Sequence, residues 1–155
     1  MKKTAGIALV CVETCRVLFL LKAVGKSLGL WGFPGGTMDE GETYEETMYR
    51  ETEEETGISR SSISNVRYLA DVSSGKKIFK LYIGEIGDEI DPVLSDEHSD
   101  YAWLSLETLG GLESLPIKPS NLELLPTISD HVECKGGSID ENYHVLKLGF
   151  RRHLR

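Results

Sequence analysis

The chain has 155 residues, 40% of them apolar and 27% charged, with 25 acids against 17 lysines and arginines for a net charge of −8. This is the length and usage of one compact domain, expected to span 1–155 with its core over about 4–132 and a tail of uncertain structure over 133–155. The acidic balance argues against broad electrostatic binding to nucleic acid or an anionic membrane. The apolar run Gly6–Val12 is too short for a signal peptide or a membrane span, so a cytoplasmic protein is expected.

Thr4 to Val12 is apolar and β-branched and reads as a buried strand, with Val17 to Lys22 as its hairpin partner across Glu13–Arg16. Ala23 to Leu30 reads as a loop carrying glycine and lysine. Thr43 to Thr56 reads as a helix with Tyr44, Met48 and Thr52 on a weak inner stripe, closed by Gly57. Ile63 to Val72 and Ile78 to Ile86 read as strands joined through Ser73–Lys77, and Tyr101 to Leu104 as a shorter one. Ser105 is positioned to cap a turn of helix, with Glu107 close behind. In the helical pattern of Leu122 to Val132, Pro126 either kinks the helix or marks its true start. Beyond Cys134, Gly136-Gly137 interrupt the chain, His144 to Phe150 alternates as a strand or partner-binding segment would, and Arg151, Arg152 and Arg155 end it basic. Cys11, Cys15 and Cys134 form no zinc pattern. A bridge between Cys11 and Cys15 across the turn is conceivable, but reduced thiols are the expectation.

The most informative stretch runs from Gly36 to Ile58. Nine acids fall between Asp39 and Glu55, where the only base is Arg50. A solvated helix face would mix its signs, because like charges at i,i+4 are destabilising. Carboxylates crowded against stability point to divalent cations, and Mg²⁺ and Mn²⁺ prefer oxygen ligands. Glu51, Glu54 and Glu55 stand at i, i+3 and i+4 and share one helix face, with Arg50 beside them to orient a carboxylate. Glu42 lies near the helix start, and Pro34-Gly35-Gly36 before it can bring bare backbone close to a metal or ligand.

The order Gly36, five residues, Glu42, seven residues, then Arg50-Glu51-Thr52-Glu53-Glu54-Glu55-Thr56-Gly57-Ile58 resembles the Nudix box, Gly-x5-Glu-x7-Arg-Glu-U-x-Glu-Glu-x-Gly-U with U a bulky aliphatic residue. Thr52 departs from the first U, and Thr47 and Met48 stand where small alanines are frequent. Those departures bear on helix packing and leave the chemistry untouched. Leu30-Trp31-Gly32-Phe33-Pro34-Gly35-Gly36 resembles the family's lead-in to the box, and Glu97-His98 with Trp103 is similar to its Glu-His-x4-Trp segment. The likeness covers roughly residues 4–130, with high specificity from 30 to 58.

The resemblance implies an α/β fold, a Nudix-type α/β/α sandwich around a mixed β-sheet. It implies metal-dependent hydrolysis of a pyrophosphate bond in a nucleoside diphosphate linked to a group X, with Mg²⁺ or Mn²⁺ as cofactor. Glu51, Glu54 and Glu55 are the implied ligands, joined by the Gly36 carbonyl; one of these glutamates or Glu97 is the implied base. Arg50 orients a ligand carboxylate, and Glu42 props the loop or binds a further ion through water. His98 is assigned a structural hydrogen-bonding role, Trp31 and Phe33 core packing, and Lys76, Lys77 and Lys80 a solubilising hairpin rim. The alternative is a catalytically silent Nudix-fold nucleotide sensor, which typically loses box glutamates that this chain keeps. The box leaves open triphosphates, dinucleoside polyphosphates, nucleotide sugars and 5′ RNA ends as substrates. No stable nucleic-acid complex and no membrane partner are expected; monomer and homodimer both remain open.

Overall fold

Strand β1 (Lys2–Cys11) is the apolar run of the sequence, and its last eight residues are buried. Its side chains serve two cores, which is why the run does not alternate. Ala5, Ile7, Leu9 and Cys11 pack with Met48 and Ile58 on one face. Ala8 and Val10 pack with Phe19, Leu81, Leu125 and Ile128 on the other. The structure, a computed structural model, describes residues 1–106 and 115–135. Glu107, Gly136-Gly137, the alternating segment His144–Phe150 and the arginine-rich end lie outside the described residues.

Around β1 the described strands form one mixed sheet of seven, β2 (Arg16–Lys22), β3 (Trp31–Gly32), β4 (Gly35–Thr37), β5 (Ser64–Ser74), β6 (Lys77–Ile86) and β7 (His98–Ser105) completing it. The order is β3-β2-β1-β6-β5, with β4 on β1 and β7 on β2. β6 runs parallel to β1 over the whole of Lys2–Cys11, and the other pairs are antiparallel. Helix α1 (Tyr44–Thr56) covers one face. The short helices α2 (Pro119–Leu122) and α3 (Leu125–Asp130) belong to the other. The expected α/β/α sandwich is therefore the observed fold, and Pro126 stands in the first turn of α3, marking a true start. No described helix is long and apolar enough to cross a membrane.

β1 and β2 pair only beside their turn, at Val10↔Val17 and Cys11↔Arg16. Farther along, β3 takes the free edge of β2 at Leu20 and Leu21, and β4 takes that of β1 from Thr4 to Gly6. The Trp-Gly-Phe-Pro-Gly-Gly segment thus occupies the opening between the two strands. Pro34 accepts the Ile7 N–H at 3.0 Å. A Cβ on Gly35 would meet the Ala5 carbonyl oxygen at 2.5 Å and the Gly6 Cα at 2.7 Å, so only glycine lets β4 lie this close to β1.

Threonines do the work of the missing alanines and leucine on the buried face of α1. Thr47, Thr52 and Thr56 are buried with Met48. Each hydroxyl donates to the carbonyl four residues back: Thr47 to Thr43 at 3.0 Å, Thr52 to Met48 at 2.7 Å, Thr56 to Thr52 at 2.6 Å. That satisfies polar atoms that would otherwise be stranded in the core.

The cysteines depart from expectation. Cys15 is joined to Cys134, 119 positions on, with Cα atoms 5.2 Å apart, and Cys11 is free and buried. Cys11 faces the α1 side of the sheet and Cys15 the opposite core, so the two could not have bridged each other. Thiol titration of the denatured, unreduced protein should give one thiol per chain, and three after reduction.

Replacing Gly35 with alanine should cost about 1–3 kcal/mol, the usual penalty for overpacking, because the new methyl meets backbone that cannot turn aside. Urea denaturation of the variant checks this, and an unchanged midpoint would rule out the tight β1–β4 contact.

Candidate active site

α1 starts at a capping box, Thr43 Oγ1 accepting from the Glu46 N–H and Glu46 Oε1 from the Thr43 N–H. It ends on Gly57, at φ 74°, whose N–H bonds back to Glu53. Between these stops the box glutamates divide by depth. Glu54 is exposed, Glu51 is largely covered, and Glu55 is buried at 1% exposure.

Arg50 is the hub of the exposed layer. Its Nε donates to Glu42 at 2.7 Å, and its Nη2 donates to Glu42 and to the Thr37 carbonyl, both at 3.0 Å. Nη1 reaches Glu51 at 3.0 Å and Glu54 at 3.2 Å. One guanidinium thus fixes the loop end, the helix start and two box carboxylates, a fork that lysine lacks. Glu42 also accepts from the Asp39 N–H at 2.8 Å and the Thr47 hydroxyl at 2.9 Å. The hydrogen bond from Arg50, then that from the Asp39 backbone, holds its carboxyl down to about 2. The same bond raises the Arg50 guanidinium further above its ordinary range.

The deeper layer is under-neutralised. Gly36 lies so close to Glu51 that a Cβ there would sit 2.4 Å from its carboxyl carbon. Burial raises the Glu51 carboxyl despite its bond to Arg50. Glu55 Oε1 accepts the Gly35 N–H at 2.7 Å, a tie between α1 and β4. Burial, opposed by that bond and reinforced by Glu51, pushes Glu55 up to about 8. Its other oxygen, Oε2, has no hydrogen-bond partner among the described residues, and neither has His98 Nδ1, 3.6 Å away. That distance is too long for a hydrogen bond. Burial brings His98 down to about 4, so the imidazole is neutral at pH 7 and the pair is no salt bridge.

Glu97 completes the arrangement. It is exposed, loosely paired with Lys22 at 3.8 Å, and offers an oxygen within 4.8 Å of donor atoms on Glu55 and His98. The structure therefore brings Gly36, Glu51, Glu55 and Glu97 to one place, with Glu54 above them on Arg50. It adds His98, which sequence reasoning treats as merely structural although it directly follows Glu97. Two buried donor atoms without partners among the described residues, and a carboxylate laid against a bare glycine, fit a hard divalent cation. These groups border a cavity of about 820 Å³, lined among others by Gly35, Gly36, Glu51, Glu97 and His98. Trp31 and Phe33 also reach the cavity but belong to the buried core, Phe33 stacking on Phe19 at 5.0 Å. Of the hairpin lysines, Lys80 bonds Asp71 at 3.0 Å, whereas Lys77 is not a rim residue: it is half-buried in the cavity wall.

The model of the NUDIX domain matches residues 1–128. The mouse asymmetrical bis(5′-nucleosyl)-tetraphosphatase is 35% identical over 102 residues, covering 62% of this chain and 69% of that protein. Among solved structures, the NUDIX domain of Shewanella oneidensis NrtR, complexed with ADP ribose, superposes with a TM-score of 0.70 at 22% identity over 83% of this chain and 86% of that one. A Caenorhabditis elegans Ap4A hydrolase superposes with a TM-score of 0.67 at 22% identity, over 84% and 96%. These two structures share the fold.

The Glu42–Arg50 bond has a pH signature. A carboxyl whose folded-state pKa is depressed contributes stability above its unfolded pKa, here 4.5, and loses it as the pH falls through about 2. Glu42→Gln should therefore melt below the wild type at pH 7, with the gap constant down to about pH 5 and closing toward pH 2. Melting curves across that range check it; a gap that widens in acid would contradict the assigned bond.

Proposed function

The chain belongs to the NUDIX family, and on that footing we propose that it cleaves a pyrophosphate bond in a nucleoside diphosphate linked to a further group, using water and a divalent cation. As a pyrophosphohydrolase of that family it acts on anions while itself carrying a charge of −8. The observation that carries the reading is the buried Glu55, whose Oε2, beside Glu97 and His98, has no hydrogen-bond partner among the described residues.

In this reading Glu51, Glu54 and Glu55, with the Gly36 carbonyl, hold Mg²⁺ or Mn²⁺, and His98 Nδ1 lies within reach of the same place. A cation bound there neutralises phosphate charge and makes water a better nucleophile at neutral pH. The residues of the chain supply the rest. Arg50 keeps Glu51 and Glu54 in their rotamers by donating to both. The Gly35 N–H fixes Glu55 Oε1 and leaves Oε2 facing the site. Glu97, exposed at the cavity wall, takes the proton from the attacking water at a carboxylate oxygen as the new phosphorus–oxygen bond forms. The bond to the bridging oxygen breaks, and the products are a nucleoside monophosphate and a phosphorylated X, or pyrophosphate from a triphosphate. The box glutamates all being present favours catalysis over a silent sensor.

Phosphate-product analysis with Mg²⁺ tests the proposal. Glu97→Gln should lower kcat by about 10²-fold or more, the low end of the range for a lost acid–base group, and Glu55→Gln and Glu54→Gln should lower activity by weakening the hold on the cation. Manganese should raise the melting temperature of the wild type and leave that of Glu55→Gln unmoved, since a ligand that binds only the folded state stabilises it. Full activity in Glu55→Gln would sink the assignment.

A further inference from the structure

The cavity beside the acids has a second wall that the chemistry above does not use. Five lysines line it, Lys2, Lys22, Lys26, Lys77 and Lys118, in a protein with an excess of acids. They come from separate parts of the chain: the starts of β1 and β6, the end of β2, the loop after it and the turn into α2. Lys2 and Lys77 are register partners in the parallel β1–β6 pair. Thr4 and Phe79, also partners and one pleat farther on, lie on the same side and line the same cavity. Lys118 is held over that floor by its backbone, its N–H bonded to the Trp31 carbonyl at 2.8 Å.

The wall is short of anions. Lys22 has Glu97 at 3.8 Å, but among the described residues none of Lys2, Lys26, Lys77 and Lys118 has a carboxylate within 4.0 Å. Lys77 and Lys118 are half-buried as well. Burial, then the neighbouring lysines, pull both ammonium groups below the ordinary lysine range. Like charges gathered in a concave, partly dry place cost stability, and residues that cost stability in the free protein are commonly those a ligand requires. An ammonium is a point charge suited to phosphate oxygens.

Resting on the hydrolase reading, we propose that Lys77 and Lys118, with Lys2, bind the phosphates that extend beyond the bond being cleaved, so that the substrate is a nucleoside carrying three or more phosphates in a row. A nucleotide sugar has only two phosphates, and both are engaged at the acidic wall where its bond is cut. Its sugar would leave the lysines unmatched. A triphosphate or a dinucleoside tetraphosphate supplies anions to both walls. A cavity of about 820 Å³ has room for such a chain, small-molecule sites running from roughly 300 to 1,000 Å³.

The test uses the full chain, Lys77→Met and Lys118→Met, and three substrates: a nucleoside triphosphate, a dinucleoside tetraphosphate and ADP-ribose. Each variant should lose about tenfold or more in kcat/KM on the first two, as for one lost charge-assisted hydrogen bond, with the loss in KM and kcat within about twofold. Turnover of ADP-ribose should be poor in the wild type and unchanged in the variants. Both variants should melt at or above the wild-type temperature, whereas a structural role would lower it. Calorimetry with inorganic tripolyphosphate in EDTA separates this inference from the hydrolase reading. The wild type and Glu55→Gln should bind it alike, and the lysine variants about tenfold more weakly. Weakened tripolyphosphate binding in a protein without hydrolase activity would overturn the reaction and keep the anion site. Unchanged binding, or an equal loss on all three substrates, would overturn the site.

Discussion

The short bond from the Gly35 N–H to Glu55 Oε1 is the contact on which the site depends. It joins the strand that fills the opening in the sheet to the last turn of the helix lying over it. A carboxylate this deep would ordinarily be avoided, because taking a charge out of water costs several kcal/mol unless partners replace the hydration. One backbone donor replaces part of it, and the remaining oxygen has no hydrogen-bond partner among the described residues. The helix is therefore anchored through a group that is itself incomplete. Burial pushes that carboxyl up to about 8, so at neutral pH it largely keeps its proton, whose place a cation would take.

The rest of the acidic stretch is arranged to keep that cost local. Arg50 gathers Glu42, Glu51 and Glu54 together with the Thr37 carbonyl, so the outer carboxylates are neutralised and fixed while Glu55 is not. Selective neutralisation of this kind gives two layers on one helix face. Across the cavity the lysines present the opposite imbalance. Carboxylates and ammonium groups lining one cavity and meeting at the Lys22–Glu97 pair suit a ligand that carries both a cation and a long anionic chain.

Much of this was legible in the sequence because it depended on local pattern. The buried strands, the helix with its glycine stop and the i, i+3, i+4 glutamates follow from periodicities that survive folding. β4 was not legible as a strand: Gly35 and Gly36 carry no β signal, and their extended state comes from pairing with β1. Burial of Glu55 rather than Glu54 was also hidden, since a helical repeat places both on one face and only the sheet beneath decides their depth. His98 escaped because a lone histidine next to an acid is usually structural. Lys77 and Lys118 are far apart in the chain, and their shared burial exists only once β6 and the turn into α2 meet. The Cys15–Cys134 bridge spans 119 positions, a separation from which no sequence pattern could pair them.

That bridge encloses β2 through α3 in one covalent ring and leaves outside it the strand on which the sheet is centred. β1 enters from the N-terminal side, between β4 and β6, held by hydrogen bonds and packing alone. A backbone break anywhere within the ring leaves a single molecule whose pieces stay tethered. A break in the short turn before Cys15 does the reverse: it leaves β1 attached to the sheet by those hydrogen bonds and packing alone. Between Cys15 and Cys134 one cut leaves the pieces covalently joined, whereas one cut in the turn before Cys15 severs the covalent tie between the sheet's central strand and the ring.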